Sequence, residues 1–513
     1  MTGIRRTIRK FLGLSRCSIT RIGVTSRRFV IFVWESLFDF MSRPTLERIV
    51  FYFILLLFVV RNLPWHLDDY DQAKQAYVSF EMVERGAWFF QQTPRAEVAT
   101  KPPLVGWISA ILFTVLRSWE LAWRLPPFLA GLAILLILRR EGNALCLAGG
   151  LLAIGCFGLN TIAPRLATLV RTDMVLALLI FIPGWLIWRH LRDGTAWTSR
   201  DRWLTAVAVF GAMMTKGPIL YAFLLPGLIA FQLLRRRRGW ESAWCGWWPW
   251  LLPLIPFGAW VTAGALWQPG FYEQVIGKEF LGRFEGGTDA VHRSQPVYFY
   301  LHLLHRIAPW TLLLAGVFLV HRRMWRESWK KPEIAWLWCW ILGAFVLMSL
   351  IPSKRVDRVF PLVPPLGLLL AGTWGLYANF MQRKGDQWVL AATGVGAVLA
   401  GGYTVLQLTS AYKQRADALT DFGTQVRLLT RGEPLAVVKG KDEGMLLYCR
   451  TLDFSEPDDA AKAWKEGKIN SVVFPEKSWR KRQEYFPSAQ VTSESAETSD
   501  PAKQSRYVLI QRH

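Results

Sequence analysis

The amino-acid sequence predicts a polytopic α-helical membrane protein with about 11 to 13 spans and a small C-terminal α/β domain. Hydrophobic residues make up 52% of the 513 residues, and they include 27 Trp and 31 Phe. They gather in apolar runs that a soluble protein of this length would not carry. The net charge is +23, but the basic residues stand in short tracts between these runs. This pattern is typical of loops that face an anionic cytoplasmic leaflet, and it argues against a nucleic-acid-binding protein.

Residues 1–46 are expected to form a basic cytoplasmic arm. Eight Lys and Arg residues precede the first acidic residue, and the apolar stretch that follows them is short and interrupted by Glu35 and Asp39. This favours an interfacial helix near 29–41 over a cleavable signal. The six cysteines show no metal or disulfide spacing and are interpreted as small core residues.

The apolar runs and the basic tracts together predict the topology. Twelve runs occur, at 47–63, 103–116, 124–138, 144–160, 174–188, 203–215, 218–234, 248–267, 309–320, 333–351, 359–378 and 387–406. If the run at 103–116 crossed the membrane, the tracts at 139–141, 189–202 and 235–238 would face outside, against the positive-inside rule. If it lies along the outer surface, every strong basic tract falls inside. We therefore expect eleven spans in a transmembrane domain at 47–406, with outer loops at 64–123 and 268–308.

Residues 407–513 are expected to form an extracytoplasmic α/β domain. Strand-like runs stand at 434–438, 445–448, 471–474 and 507–511, and a helical pattern with Asp at its start stands at 458–467. The stretch 488–504 is polar and is expected to be flexible. No phosphate loop or nucleophile motif occurs in this part of the sequence.

This topology gathers charged residues on the outer face, where the positive-inside bias would remove basic side chains. Their presence points to a bound anion, and Lys and Arg from separate loops suit a phosphate. Carboxylates at loop–helix junctions are suited to deprotonate an attacking hydroxyl or amine. Together these features predict transfer from a lipid-linked phosphate. The candidates are Asp71 and Asp173 for catalysis; Lys101, Lys216, Arg283, Lys354 and Arg358 for the donor phosphate; and Asp69, Glu81, Arg171 and His292 for the acceptor or the cavity.

Each candidate also has a purely structural interpretation. A carboxylate in the first turn of a helix interacts favourably with the helix dipole, and a basic residue at a helix end anchors in the membrane interface. The alternatives are a helix-terminal role for Asp71, a pair of Asp173 with Arg171 or Arg165, an anchor role for Lys216 and a pair of Arg358 with Asp357. The sequence leaves these alternatives open.

A series of short motifs runs through the outer loops and helix ends. In chain order it consists of Asp71, "FEMVERGAW" (80–88), "KPPLVGW" (101–107), "RLP" (124–126), Arg171 with Asp173, "KGP" (216–218), "RF" (283–284), and Ser353 with Lys354, Pro361 and Pro364. The series resembles that of the polyprenyl-phosphate-sugar glycosyltransferases of the GT-C superfamily, in particular bacterial aminoarabinose:lipid A transferases and their protein O-mannosyltransferase relatives. The likeness covers residues 47–380 well and the C-terminal residues poorly.

The resemblance implies that Asp71 is the base or the acceptor-orienting group and that Asp173 is a second acid of the cavity. It implies that Lys101 and Arg283 bind the phosphate of the donor, a sugar on undecaprenyl or a similar polyprenyl phosphate. It also implies that transfer inverts the anomeric centre. Three family residues are replaced here, a Glu, an acid and a Tyr, by Gln72, Thr100 and Arg358 or its neighbour Asp357. No ligand motif demands a metal, and a divalent cation held by the scattered acids stays an open alternative.

The expected function is therefore an integral membrane glycosyltransferase at the periplasmic or extracytoplasmic face of the cytoplasmic (inner) membrane. The expected partners are a polyprenyl-phosphate sugar donor, membrane lipids, and an acceptor that is a lipid A-like lipid, another glycolipid or a protein. One alternative is a polyprenyl-linked lipid transporter or flippase, which requires ionisable groups at mid-membrane and repeat symmetry. The other is a non-catalytic relative that binds polyprenyl phosphate.

Overall fold

The computed structural model describes residues 43–239, 244–282, 295–320, 322–378, 384–497 and 505–512. Most of the predicted basic arm, including its helix near 29–41, and the candidates Arg283 and His292 lie outside the described residues. By proximity of Cα atoms the chain divides into a small unit, Met1–Val50, and a large unit, Phe51–His513. The large unit contains all of the candidate residues.

The first part of the chain is helical. Its helices are α1 (Arg43–Val60), α2 (Tyr70–Arg85), α3 (Leu104–Leu116), α4 (Trp119–Leu145), α5 (Gly149–Gly158), α6 (Ala163–Thr168), α7 (Asp173–Asp193), α8 (Ser199–Lys216), α9 (Ile219–Arg238), α10 (Trp248–Leu251) and α11 (Leu254–Trp267). A π-helix (Tyr272–Leu281) and a 3₁₀ turn (Val297–Leu301) follow, and then α12 (His302–Arg306), α13 (Trp310–Val320), α14 (Arg322–Ser328), α15 (Pro332–Leu350), a 3₁₀ turn (Val356–Leu362), α16 (Val363–Ala378), α17 (Lys384–Lys413) and α18 (Ala418–Thr430).

The chain is a multi-pass membrane protein. Among the described residues, seven helical segments are long and apolar enough to cross a membrane, and an eighth results if the pair 297–306 and 310–319, bent by 101°, forms one span. Helix α3 has 13 residues, a length of about 20 Å, which is short of the ~30 Å hydrocarbon core. Its length favours the predicted position on the membrane surface. The expected number of eleven spans and the domain boundaries stay predictions.

Helices α9 and α15 pack with their backbones in direct contact. A Cβ on Gly227 would lie 2.6 Å from the Cα of Trp340, and a Cβ on Gly343 would lie 2.8 Å from the backbone nitrogen of Gly227. Small residues at such crossings let membrane helices approach closely and gain dispersion contacts. Any side chain at either position would force these two helices apart.

The C-terminal part contains the predicted small sheet. Its elements are β1 (Leu435–Val438), α19 (Gly444–Cys449), β2 (Phe454–Ser455), α20 (Pro457–Lys465), β3 (Ser471–Pro475), α21 (Glu476–Trp479), a 3₁₀ turn (Gln483–Tyr485), β4 (Ala489–Glu494) and β5 (Tyr507–Arg512). The strand order is β2-β1-β3-β5-β4. The first three strands are parallel, and β5 is antiparallel to both β3 and β4. Helices α20 and α21 cover one face of the sheet, and α19 packs on the other.

Two expectations for this part of the chain were wrong. The apolar run 445–448 forms helix α19 and not a strand. Its four side chains are all buried, so a short run carries no period that distinguishes helix from strand. The part 489–494 of the polar stretch 488–504 forms the ordered edge strand β4, whose side chains are mostly exposed, and 498–504 lie outside the described residues. A strand at the edge of a sheet with one solvated face tolerates this polar composition.

The sheet shares its core with the first outer loop and helix α2. Tyr77 and Phe80 from α2 and Trp123 from α4 pack with buried residues of α18, α19 and the strands. The Tyr448 hydroxyl accepts a hydrogen bond from the backbone N–H of Leu67 and donates one of 2.8 Å to Asp68 Oδ1. The C-terminal residues therefore fix the loop that enters α2.

Replacing Tyr448 by Phe is expected to lower the free energy of unfolding by about 1–3 kcal/mol, because the N–H of Leu67 becomes a buried donor without a partner. The measurement is the unfolding temperature of the purified full-length protein in detergent. Tyr485→Phe, at an exposed tyrosine in the same part of the chain, is the control and should leave this temperature unchanged. Equal unfolding temperatures for both variants would contradict the role given to Tyr448.

Candidate functional site

The site is built around the start of helix α2. Asp69 is the N-cap residue, and its Oδ1 accepts a hydrogen bond of 3.0 Å from the backbone N–H of Asp71. Such a cap satisfies one of the free donors of the first turn. It also fixes where the next carboxylate points, since Asp71 follows the cap by two residues. Asp71 therefore lies in the first turn of α2, as its structural interpretation predicts. This position orients the carboxylate and is compatible with a functional role.

Arg171 joins three carboxylates at this helix end. The side chain lies in the turn between α6 and α7 and is only 7% exposed. Its guanidinium lies 2.7 Å from Asp69, 3.1 Å from Asp71 and 3.6 Å from Asp357. A buried guanidinium needs such partners because only their attraction offsets the free energy lost when the charge is removed from water. Three segments that are far apart in the sequence are thereby held together.

Arg355 closes the network from the solvent side. Its guanidinium lies 3.1 Å from Asp71 and 3.7 Å from Asp357, and its side chain is 47% exposed. Burial alone would raise the pKa of Asp71, but the positive charges of Lys101, Arg171 and Arg355 outweigh it and lower that pKa. Asp71 is therefore ionised at neutral pH. Nothing local in the sequence indicates the carboxylate partners of Arg355, which only the structure shows.

Asp173 pairs with neither arginine that the sequence suggested. Its Oδ1 lies 2.6 Å from Lys216 Nζ, which joins the first residue of α7 to the last residue of α8. Both side chains are about nine-tenths buried. In this structure the Lys216 ammonium is thus directed at a carboxylate. Its roles as an interface anchor and as a donor ligand stay predictions.

Lys101 is the cation near these carboxylates that has no direct partner. Within the part of the chain that the structure describes, it makes neither a hydrogen bond nor an ion pair. Its charge nevertheless acts on both Asp71 and Asp173, so it lies close to both candidate acids. It stands at the entrance to α3, where two prolines precede the helix. A half-buried ammonium in this position is available to an anionic ligand.

Lys74 is a further cation of the site that sequence reasoning missed. Its Nζ donates a hydrogen bond of 3.2 Å to Thr100 Oγ1, next to Lys101. Burial and then the like charge of Lys101 lower the pKa of Lys74 to about 8. The signal in the sequence was its spacing, because Lys74 follows Asp71 by three residues and so shares a helix face with it.

The remaining candidates lie outside this cluster or outside the described residues. Lys354 Nζ donates 2.9 Å to the carbonyl of Gln295, and Arg358 donates to the carbonyl and hydroxyl of Ser353. Glu81 lies about 15 Å along α2 from Asp71, where it accepts hydrogen bonds from Arg85 and from the backbone of Gln92. The structure therefore does not bring Glu81 to the site. Arg358 does not pair with Asp357, whose carboxylate faces Arg171 and Arg355.

An apolar cavity of about 210 Å³ adjoins the basic residues. Lys216, Glu279, Ser353 and Arg358 form its polar side. Its apolar wall consists of Pro218, Ile219, Ala222, Leu347, Met348 and Ile351. No group of three or more His, Cys, Asp or Glu side chains suited to a metal ion occurs among the described residues. The arrangement can hold an anion whose other end is hydrocarbon.

Similar proteins are known for both the sequence and the fold, although no protein-family model matches the chain. The undecaprenyl phosphate-α-4-amino-4-deoxy-L-arabinose arabinosyl transferase of Shewanella sediminis is 24% identical over 351 residues, which cover 67% of this chain and 62% of that one. A second transferase of the same description, from Proteus mirabilis, is 26% identical over 380 residues, which cover 70% and 65%. The match thus spans less than two thirds of the length of these relatives.

The crystal structure of ArnT from Cupriavidus metallidurans bound to undecaprenyl phosphate superposes with a TM-score of 0.69 at 18% identity, over 91% of this chain and 98% of that one. The chain has the ArnT fold. In sequence it is similar to the aminoarabinose transferases named above, which agrees with the resemblance that the motif series indicates. In this ArnT-like fold the motif residues Asp71, Lys101 and Asp173 come together, although they lie in three separate segments of the sequence.

The pair of Asp173 and Lys216 is expected to behave as one unit in stability measurements. Lys216→Met leaves a buried carboxylate without its partner and should destabilise the protein by about 3–5 kcal/mol. The double variant, with Asp173→Leu added, should recover most of that loss. The measurement is a double-mutant cycle on the unfolding temperature in detergent. Additive losses would show that the two side chains do not depend on each other.

Proposed function

We propose that this protein is a membrane glycosyltransferase that moves a sugar from a polyprenyl-phosphate donor to an acceptor of the cell envelope. One observation carries the proposal. The Lys101 ammonium, which makes no hydrogen bond or ion pair within the described residues, lies near the ionised carboxylate of Asp71 at the entrance to an apolar helix. A lipid-linked phosphate needs a cation at the membrane surface, and the transfer of its sugar needs an acceptor-orienting base beside that cation.

Lys101 binds the phosphate of the donor, and Lys74 adds a second positive charge next to it. Arg283 joins them, as the resemblance implies. The apolar cavity of about 210 Å³ beside Lys216 and Arg358 takes the first units of the polyprenyl chain. Binding of this kind places the anomeric carbon between the cations and Asp71.

In the reaction, an oxygen or nitrogen of the acceptor attacks the anomeric carbon. The bond from that carbon to the phosphate oxygen breaks, and polyprenyl phosphate leaves with the bonding electrons. The proton of the acceptor passes to Asp71. A carboxylate with a lowered pKa is a weak base, but it is ionised throughout the neutral range and orients the acceptor by accepting its hydrogen bond. Lys101 stabilises the charge that develops on the leaving phosphate, and attack from the face opposite to the phosphate inverts the anomeric centre.

The relatives support the choice of donor. The two transferases named above are named for undecaprenyl phosphate-aminoarabinose, and the ArnT structure contains undecaprenyl phosphate. For this chain we propose undecaprenyl phosphate or a similar polyprenyl phosphate as the carrier. The acceptor is a lipid A-like lipid, another glycolipid or a protein. The site faces the extracytoplasmic side of the inner membrane, and the C-terminal sheet lies on that side because it packs on the same loop as the site.

The proposal predicts that Asp71→Asn lowers transfer roughly 100-fold or more, because the acceptor loses its proton acceptor. The assay incubates the purified full-length protein with radiolabelled polyprenyl-phosphate sugars and total envelope lipids and proteins. Asp459→Asn, at an exposed carboxylate of α20, is the matched control and should keep full activity. Full activity of Asp71→Asn would refute the assignment of the base.

The same assay separates the proposal from its alternatives. A wild-type protein that binds the donor and releases no sugar is a non-catalytic relative. Movement of intact donor across a vesicle membrane, without cleavage, would instead identify a flippase. Either result would overturn the proposal that this protein is a glycosyltransferase.

Donor binding is expected to weaken as the pH rises through about 8, where Lys74 loses its charge. Because a bound phosphate favours the protonated amine, the affinity should fall by up to about tenfold per pH unit above that value. The lowered pKa of Lys74 affects stability in the opposite direction to donor binding. Between pH 8 and the ordinary lysine value the unfolded chain binds more protons than the folded protein, so the free energy of unfolding rises with pH in that window.

The measurement is the KM for the donor between pH 7 and about 9.5. Lys74→Gln should show a weak affinity that does not change over this range, and Lys74→Arg should keep a strong affinity at high pH. A wild-type KM that is constant across the range would contradict the role of Lys74.

A further inference from the structure

A second cavity, of about 320 Å³, lies next to the site but is not lined by Lys101, Asp71 or Asp173. We call it the Arg61 pocket. It is formed by residues 61–63 after α1, the start of α2, and parts of α4, α6 and α17. Asp69 and Gln72 belong to its lining, so one face of the α2 start borders this pocket while Asp71 points to the transfer site.

Positive charge dominates the lining of the Arg61 pocket. Arg61, Arg124 and Arg165 all border it, and Asp69 is the one carboxylate among its described lining residues. That carboxylate is already engaged by Arg171 and by the cap of α2. Arg124 has a partner of its own in Glu120 at 2.7 Å. Two guanidinium groups, those of Arg61 and Arg165, are therefore left without a carboxylate in the described part of the chain.

The contacts of these two groups differ. Arg61 is 8% exposed and lies over the ring of Tyr403 at 5.0 Å, and its Nε has no hydrogen-bond partner among the described residues. The side chain of Arg165 makes no hydrogen bond or ion pair within the described ranges. Buried donors of native proteins are nearly always paired with protein, water or a ligand, so these groups are able to bind a further acceptor.

His66 adds a second unsatisfied group. Its Nδ1 is buried without a hydrogen-bond partner among the described residues, and Asp68 Oδ2 lies 3.6 Å from it. Burial and the neighbouring charge of Arg124 lower the pKa of His66, so the ring is neutral at pH 7 and able to donate one hydrogen bond. Water could satisfy such donors, but it would not neutralise the charges of Arg61 and Arg165.

We propose that the Arg61 pocket binds a phosphoryl group, as a site separate from the one formed by Lys101. Guanidinium groups bind phosphate oxygens through pairs of parallel hydrogen bonds, which suits the fixed positions of Arg61 and Arg165. The volume of about 320 Å³ exceeds the ~30 Å³ share of one water about tenfold, so a phosphoryl group fits together with the first atoms of its ester. The proposal does not rest on the glycosyltransferase activity, because it concerns binding alone.

The test measures the unfolding temperature of the full-length protein in phosphatidylcholine nanodiscs. One arm titrates inorganic phosphate against sodium acetate at equal ionic strength, and the other replaces part of the lipid by phosphatidic acid. We expect phosphate, phosphatidic acid or both to raise the unfolding temperature, with acetate without effect. A shift by phosphatidic acid alone identifies a lipid headgroup as the source of the phosphoryl group, and a shift by inorganic phosphate shows that a free anion suffices.

Two variants locate the effect. Arg165→Gln and Arg61→Met should each weaken the apparent affinity about tenfold or more, since each loses a charge-assisted hydrogen bond. Arg117→Gln, at an exposed arginine after α3, removes the same charge outside the pocket and should keep the wild-type affinity. If Arg61→Met does not fold, Arg165→Gln decides alone, because Arg165 is only half-buried.

The proposal is overturned if neither probe shifts the unfolding temperature, if acetate acts as strongly as phosphate, or if the shift is the same in Arg165→Gln as in the wild type.

Discussion

The candidate site of this protein depends on the burial of one guanidinium group. Arg171 is almost inaccessible to water, and its charge is stable there only because Asp69, Asp71 and Asp357 surround it. Removing any one of these carboxylates takes away part of the attraction that offsets the desolvation penalty of Arg171. The start of α2, the turn before α7 and the 3₁₀ turn before α16 must therefore meet at this point, and the proposed transfer site lies where they meet.

A second constraint fixes the segment that leads into α2. Leu67 and Asp68 are held by the hydroxyl of Tyr448, so the C-terminal sheet determines how the chain enters α2. Asp69, the next residue, caps that helix and contacts Arg171. The position of Asp71 is thus set jointly by a helix cap, a buried ion-pair network and the packing of a sheet that follows it in the chain by more than 360 residues. A carboxylate held in three ways has little freedom to reorient.

The pattern of apolar runs and basic tracts was sufficient to predict the general architecture, a multi-pass helical protein with a small C-terminal sheet. The outer position of Asp71, Lys101 and Asp173 rests on taking the run at 103–116 as a surface helix, and it stays a prediction. Partners within the site were harder to predict, because they depend on three-dimensional proximity. Asp173 has Arg171 two residues away, yet it pairs with Lys216 from another helix. Helix α19 was missed because four buried apolar residues fit either period, and β4 because an edge strand has few buried side chains.

The electrostatics of the site also explain how one carboxylate can be both firmly held and chemically useful. Asp71 is ionised because Lys101, Arg171 and Arg355 favour its charged form. Of these three, Arg171 is buried and fully committed, whereas Lys101 and Arg355 are accessible to solvent. An anion that binds to either accessible cation cancels part of the field at Asp71 and so raises its pKa. A bound phosphate therefore makes Asp71 a stronger base than it is in the empty site, and it does so without moving the carboxylate, because Arg171 and the cap of α2 hold its position.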